Sequence, residues 1–254
     1  MKEGLKIALV TGGSRGLGKD MALQLANKGI HVIVTYQSRR EEAEKVVAEI
    51  EQKGLKAAAI QLDAAESGRF GQFFTELKNV LQDVFNASGI DYLINNAGIG
   101  KNSSIADATE ELFDELMNIN FKGVYFLTQG ALPLLNEGGG IVNISSGLAR
   151  FSYPGRSIYA CAKGAVEVFT RYLAQELGPR GIRANVVAPG PIATDFGGGA
   201  VRDNEQVNHH LSSLTALGRV GLAEDIGGIV AFLCTEDARW INAQRIEASG
   251  GIHI

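Results

Sequence analysis

Within the first 28 residues an apolar run, a glycine-rich turn and an amphipathic segment follow one another, and this junction restricts the fold more than any other stretch. Residues 5–10 form an apolar run interrupted only by Lys6, Thr11 closes the run, and Gly12-Gly-Ser-Arg-Gly-Leu-Gly18 opens an amphipathic segment that reaches Lys28. A strand that enters a helix through glycines aims backbone N–H groups and the positive end of the helix dipole at one point, which makes a seat for an anion. The expected guest is a pyrophosphate. The glycines at 12, 16 and 18 are spaced G-x-x-x-G-x-G and not G-x-G-x-x-G, so the general dinucleotide fingerprint applies only in part. A tight turn with no ligand is the competing reading. Three glycines where a strand meets a helix weigh against it.

The alternation of strand and helix continues along the chain. His31–Thr35 reads as a second buried strand, and Arg39–Lys53 as a helix with Ala43, Val46, Val47 and Ile50 at helical spacing. Lys56–Leu62 is a third strand, residues 68–87 a long helical stretch, and Ile90–Ile94 a fourth strand. Glu110–Leu135 is apolar around most of its circumference, contains Asn120, and is expected to end or bend at Pro133. Strands at Ile141–Ser146 and Ile182–Ala188 flank a helix over residues 156–177 that is again apolar on more than one face. A helix at Glu224–Cys234 and a short edge strand at Arg245–Ala248 complete the chain. The pattern predicts an α/β fold, one doubly wound parallel sheet with right-handed crossovers, as a single domain over residues 1–254. The glycines at 197–199 and the polar residues after them mark a mobile substrate lid at about 195–215. Two helices without a clear polar face point to a homo-oligomer.

With 24 basic and 28 acidic residues, scattered along the chain, neither nucleic acid nor a membrane surface is an expected partner. No run of 18 apolar residues occurs. Cys161 and Cys234, in separate helical segments, read as reduced thiols of a cytoplasmic protein, Cys161 as packing. The four histidines show no ligand spacing, and no metal site is expected.

Chemistry is concentrated at Ser157-Ile-Tyr-Ala-Cys-Ala-Lys163. In a helix Tyr159 and Lys163 are i,i+4 neighbours, so the ammonium can lie under the phenol oxygen and favour its ionised form. A half-buried tyrosine above a snorkelling lysine is the alternative. Ser145 and Ser146, at the end of an apolar strand, offer a hydroxyl for a polarised carbonyl. Cofactor choice is expected at the end of the second strand, where an acid would bind a ribose 2′-hydroxyl. That strand ends in Tyr36-Gln37-Ser38-Arg39-Arg40, with no acid before Glu41. Hydroxyls and guanidinium groups suit a 2′-phosphate, with Arg15 closing over it, so NADP(H) is favoured and NAD(H) remains possible. Solvated charges at a helix start are the alternative for Arg39 and Arg40. Asp63 either accepts from an adenine amino group or caps the next helix.

From about residue 5 to 251 the chain resembles the short-chain dehydrogenase/reductase family. The matching residues are Thr11-Gly12-x-x-x-Gly16-x-Gly18, Asn95-Asn96-Ala97-Gly98, Asn120, Ser146, Tyr159-x-x-x-Lys163 and Pro189-Gly190, in the family's order. The usual interval to the tyrosine selects Ser146 over Ser145. The resemblance implies a Rossmann-type sheet of about seven strands in the order 3-2-1-4-5-6-7. It implies hydride transfer between nicotinamide and a carbonyl or secondary alcohol of a small substrate. Tyr159 would be the acid–base group, Ser146 would hold the substrate oxygen, and Lys163 would depress the phenol's pKa and reach the nicotinamide ribose. Asn120 would hold a water that joins Lys163 to bulk solvent. Cofactor contacts fall on Gly12, Ser14, Arg15, Gly16, Leu17 and Gly18 in the turn, and on Tyr36, Ser38 and Arg39 after the second strand. Further contacts fall on Asp63 and Ala64, on Asn96, Ala97 and Gly98, and on Pro189, Gly190, Ile192 and Thr194. Tetramers or dimers built on the helices holding Asn120 and Tyr159 are usual in the family. Asn242-Ala243-Gln244 stands where Thr-Gly-Gln is common, and the strand after it carries Arg245 and Glu247.

Two other functions are weighed against a small-molecule reductase. One is a 3-oxoacyl-[acyl-carrier-protein] reductase, opposed by Asn136-Glu137 and Gln175 where basic docking groups are expected, with Arg171 and Arg180 still available. The other is a non-catalytic dinucleotide sensor, which has no use for Ser146, Tyr159 and Lys163. Phe151, Tyr153 and Phe196 either line an apolar pocket or belong to the core. Arg150 and Arg156 either meet an anionic substrate or are solvated surface.

Overall fold

A computed structural model describes residues 6–254. They form a parallel sheet of seven strands in the order β3-β2-β1-β4-β5-β6-β7, as the resemblance implied. The strands are β1 (Ile7–Val10), β2 (His31–Tyr36), β3 (Ala57–Gln61), β4 (Ile90–Asn95), β5 (Leu135–Ile144), β6 (Arg183–Pro189) and β7 (Arg245–Ala248). Leu5, where the expected first strand begins, lies outside the described residues. All four residues of β1 are buried, because the sheet is covered on both faces. Successive residues therefore serve opposite layers. Ala8, Val10, Val32 and Val34 pack with Met21 and Leu25 of α1 (Gly16–Asn27), Val46 of α2 (Arg40–Glu51) and Val230 near the carboxyl end of the chain. Ile7, Leu9, Ile33 and Leu93 face Phe73 and Leu77 of α3 (Phe70–Val80) on the other side.

The long helical stretches expected from the apolar pattern are subdivided. Residues 67–87 start with a 3-10 turn at Ser67–Arg69, continue as α3, and end in a π turn, Leu81–Phe85, that is closed by Asn86 in the left-handed region. The segment expected as one helix from Glu110 to Leu135 is α4 (Glu110–Met117), a π turn at Asn118–Lys122, α5 (Gly123–Ala131) and a 3-10 turn holding Pro133. The π turn has a local cause. Asn120 donates its side-chain amide to the Leu116 carbonyl at 2.9 Å, in place of a regular backbone bond.

The second half runs through α6 (Ser157–Leu177) to β6, then through α7 (Ala200–Asp203), α8 (Glu205–Ser213) and α9 (Glu224–Leu233) to β7. Val230 belongs to α9. In the expected lid, Gly197, Gly198 and Gly199 all adopt positive φ, a run that side chains with a Cβ would strain. Cys234 is buried behind α9, whereas Cys161 is exposed and does not pack as expected, because its position on α6 turns away from the sheet. Among the described residues no helix is long and apolar enough to cross a membrane, and no group of three His, Cys, Asp or Glu could hold a metal.

Candidate active site

The sheet order reverses between β1 and β4, and the loops at the carboxyl ends of these strands open the crevice in which such sheets bind ligands. Thr11 ties both sides together: its hydroxyl accepts from the backbone N–H groups of Asn96 (2.9 Å) and Ala97 (3.0 Å). The Asn96 amide donates to the Thr11 and Gly12 carbonyls at 2.9 and 3.2 Å, so this side chain braces the glycine turn.

Each turn glycine has its own reason. Gly12 and Gly16 take positive φ. A Cβ at Gly13 would sit 2.7 Å from Val34, and one at Gly18 would run into the Gly12 carbonyl. No side chain caps α1 and no acid stands in its first turn, so the N–H groups of Gly16, Leu17 and Gly18 keep the donor capacity that a phosphate needs. The residues present therefore fit a pyrophosphate.

Beside the turn opens a cleft of about 510 Å³, walled by Arg15, Gly16, Lys19, Arg39, Thr194 and Arg202 among others. Arg39 has no ion-pair partner among the described residues. Arg40, by contrast, pairs with Glu44 in solvent, so the two arginines that were equivalent in sequence have different settings. Arg15 donates to Asp195, a contact across 180 positions that the sequence reading missed. Burial, followed by the charge of Arg39, lowers the Arg15 pKa. Tyr36 ends β2, Ser38 follows it, and Asp63 and Ala64 follow β3; all four lie outside the walls of this cleft. Asp63 accepts from the Ala65 N–H and from Gln37, both at 2.9 Å.

Farther along the same edge of the sheet, Ser146 follows β5 and Tyr159 and Lys163 stand on the first turns of α6. Tyr159 and Lys163 are both buried. The Lys163 Nζ donates to the Ile144 carbonyl at 2.8 Å and lies 5.7 Å from the centroid of the Tyr159 ring. Burial pushes the Tyr159 phenol up to about 12, against the pull of a hydrogen bond with Ser146 and of the Arg156 charge. Burial also brings Lys163 down to about 8. This corrects the sequence expectation of a lowered phenol pKa: burial of the phenol outweighs the groups that favour its ionised form. The Lys163 charge is held at a backbone carbonyl and not at the phenol oxygen, and desolvation of the phenolate dominates.

Asn120 is fully buried, donates to the Ile99 and Leu116 carbonyls and accepts from the Ile99 N–H at 3.2 Å. One lone pair of its Oδ1 remains for a water. A Cβ on Gly98 would lie 2.7 Å from that oxygen and 3.6 Å from the Lys163 Nζ, which puts both groups against the same glycine. Pro189 ends β6, Gly190 donates to the Ala248 carbonyl, and Ile192 bridges to Gly221. Ser14 and Thr194 are buried along the turn and the cleft.

Phe196 tilts against Tyr159, with 5.9 Å between ring centroids, and covers Gly100, where a Cβ would meet its ring at 2.6 Å. Phe151 packs on His253, and Tyr153 is exposed. Arg150 lies at the exposed surface, where both arms of its guanidinium hold Glu247 at 2.6 Å and no substrate anion is needed to pair it.

A family model described as enoyl-(acyl carrier protein) reductase matches residues 12–253. The short-chain dehydrogenase/reductase FrzI of Cladobotryum sp is 39% identical over 255 residues, covering 97% of this chain and 95% of that protein. The 3-oxoacyl-[acyl-carrier-protein] reductase FabG of Staphylococcus aureus is 36% identical over 252 residues and 98% of both chains. The angucycline C-6 ketoreductase LanV, solved with bound NADP, superposes with a TM-score of 0.92 at 37% identity, covering 97% of this chain and 95% of its own. With the glycine turn, the buried tyrosine and lysine and the sheet order all in place, these likenesses make the chain a member of the short-chain dehydrogenase/reductase family of oxidoreductases.

Proposed function

We propose that the chain is an NADP(H)-dependent reductase of ketones, reversible toward secondary alcohols, with Tyr159 as its acid–base group. The observation that carries this reading is the burial of Tyr159 and Lys163 one helical turn apart on α6, with the Lys163 ammonium 5.7 Å from the phenol ring. When bound, NADPH supplies the hydride to the carbonyl carbon. At neutral pH a phenol pushed up to about 12 keeps its proton, and an alkoxide is a stronger base than a phenolate, so Tyr159 can protonate the substrate oxygen. The Ser146 hydroxyl donates a hydrogen bond to the same oxygen as its charge grows. The Lys163 cation, 5.7 Å from the ring, offsets the phenolate left behind. Asn120 holds the Gly98–Ile99 backbone next to Lys163 and offers its spare lone pair to the water that returns the proton.

The glycine turn with Ser14 would hold the pyrophosphate, and Asn96, Ala97 and Gly98 would line the adenosine side. Pro189, Gly190, Ile192 and Thr194 would face the nicotinamide. The preference for NADP(H) is supported by the unpaired Arg39 next to Arg15 in the cleft and by the NADP bound to LanV. Tyr36 and Ser38 would flank the 2′-phosphate, and Asp63 and Ala64 the adenine. We read residues 1–254 as one domain, with residues 195–215 as the lid.

Exposed Phe113, Tyr125, Phe126, Val168 and Tyr172 on α4, α5 and α6 support a tetramer or dimer built on these helices. Two free thiols agree with a cytoplasmic setting. Likeness to FabG favours a second reading, reduction of 3-oxoacyl carrier-protein thioesters. Against it, Arg180 holds Glu137 and the Leu132 and Leu135 carbonyls, so it is not available for docking as the sequence suggested. A panel of aromatic ketones, aliphatic ketones and a 3-oxoacyl thioester, assayed with NADPH and NADH side by side, tests both. The reading predicts turnover of ketones with NADPH preferred. Preference for NADH, or no turnover of any ketone, contradicts it.

A further inference from the structure

We propose that Arg245, on the edge strand β7, is a positioning residue that holds Ser146 and the Lys163 turn of α6 in their working geometry. The inference rests on the catalytic reading above. Arg245 and Glu247 alternate along β7 and so share the face turned toward α6. The Arg245 Nε donates to a Glu167 carboxylate oxygen at 2.7 Å. The Ser145 hydroxyl donates to that same oxygen, also at 2.7 Å. The Arg245 Nη2 reaches the Ser146 carbonyl at 3.3 Å, and Nη1 reaches Glu247 at 2.8 Å. Glu167 stands one helical turn after Lys163, and Ser145 immediately precedes Ser146. One guanidinium thus connects the end of β5, the first turns of α6 and the outermost strand of the sheet.

The chain of charges Glu167, Arg245, Glu247, Arg150 alternates in sign and is neutral in sum, so each carboxylate is matched by a guanidinium, in a setting that is half-buried at Glu167, Arg245 and Glu247 and exposed at Arg150. None of the four groups is a proton donor in the proposed reaction. Their effect on the site passes through the backbone of residues 145–146 and through the first turns of α6. A displacement of about 1 Å at a reacting group can cost roughly a hundredfold in rate.

Steady-state kinetics with NADPH and the best ketone of the panel test this on wild type, Arg245→Leu, Arg245→Lys, Glu167→Gln and Arg245→Leu/Glu167→Gln. The expected result for Arg245→Leu is a fall in kcat of about tenfold or more. KM for ketone and NADPH should stay within about twofold, the range within which binding is unaltered. Arg245→Lys, which keeps a cation for Glu167, should recover part of the loss. The double variant should lose less than the product of the two single losses, because the groups act through one network. If Arg245→Leu does not fold, the kcat-against-KM pattern of Arg245→Lys and Glu167→Gln decides. Wild-type kcat in Arg245→Leu, a loss confined to KM, or strictly multiplicative losses would overturn the inference while leaving the catalytic reading intact. No ketone turnover by the wild type would overturn both.

Discussion

Replacing Lys163 with methionine should abolish ketone reduction and yet make the protein more stable at neutral pH. The ammonium is buried, its single hydrogen-bond partner among the described residues is the Ile144 carbonyl, and burial brings its pKa from 10.5 down to about 8. At ~1.4 kcal/mol for each factor of ten, holding it charged at pH 7 costs ~3 kcal/mol. Methionine keeps the apolar stem and removes the charge, but it leaves the Ile144 carbonyl without its donor, a loss of about 1–2 kcal/mol. The net gain is about 1–2 kcal/mol, or roughly 2–8 °C in Tm for a chain of this size. The sign can be checked against pH. Between about 8 and 10.5 the unfolded chain binds the Lys163 proton more tightly than the folded one, so the wild type gains stability as pH rises through this window. The advantage of Lys163→Met should therefore be present at pH 7 and shrink toward pH 10.5. Urea unfolding of both proteins at pH 7 and pH 10, without dinucleotide, measures it. Equal or lower stability of Lys163→Met at pH 7 would refute the reasoning.

Two further perturbations have defined outcomes. Arg39→Ala should raise the Kd for NADPH roughly tenfold, the lower end of what a charge-assisted hydrogen bond to phosphate contributes, and should leave NADH unchanged; fluorescence titration with both dinucleotides measures it, and equal weakening of the two would remove Arg39 from the 2′-phosphate site. Hydrogen bonds from Arg150, and with them those from Arg245 and Ser249, hold Glu247 down at about 2, so its contribution to stability is complete above its ordinary 4.5 and is lost as pH falls toward 2; Glu247→Gln should flatten this part of the acid unfolding curve, and an unaltered curve would contradict the pairing.

Much of this architecture is legible in the sequence because strands buried on both faces are written as unbroken apolar runs, as in Ile-Ala-Leu-Val of β1. The glycine turn is legible for a related reason, since residues 12, 16 and 18 each stand where a Cβ or a negative φ would spoil the turn or the close packing on it. What could not be read depends on side chains that bond to distant backbone. The break in the helix around Asn120 follows from the asparagine's bonds to Leu116 and Ile99, which periodicity does not register. The proton affinity of Tyr159 is set by burial and by the diversion of Lys163 to the Ile144 carbonyl, so an i,i+4 spacing alone predicted the wrong direction. The bond between Arg150 and Glu247 spans 97 positions, and only the unusual charges on β7 hinted at it.

The central claim is that the Tyr159 phenol is the proton donor, and single-turnover reduction of a ketone by wild type and Tyr159→Phe at saturating NADPH tests it most directly. The account predicts a fall in the chemical rate of about 10²–10⁴-fold, the usual contribution of a positioned general acid, while NADPH binding stays within about twofold. A Tyr159→Phe protein that reduces the ketone within tenfold of the wild-type rate would contradict it.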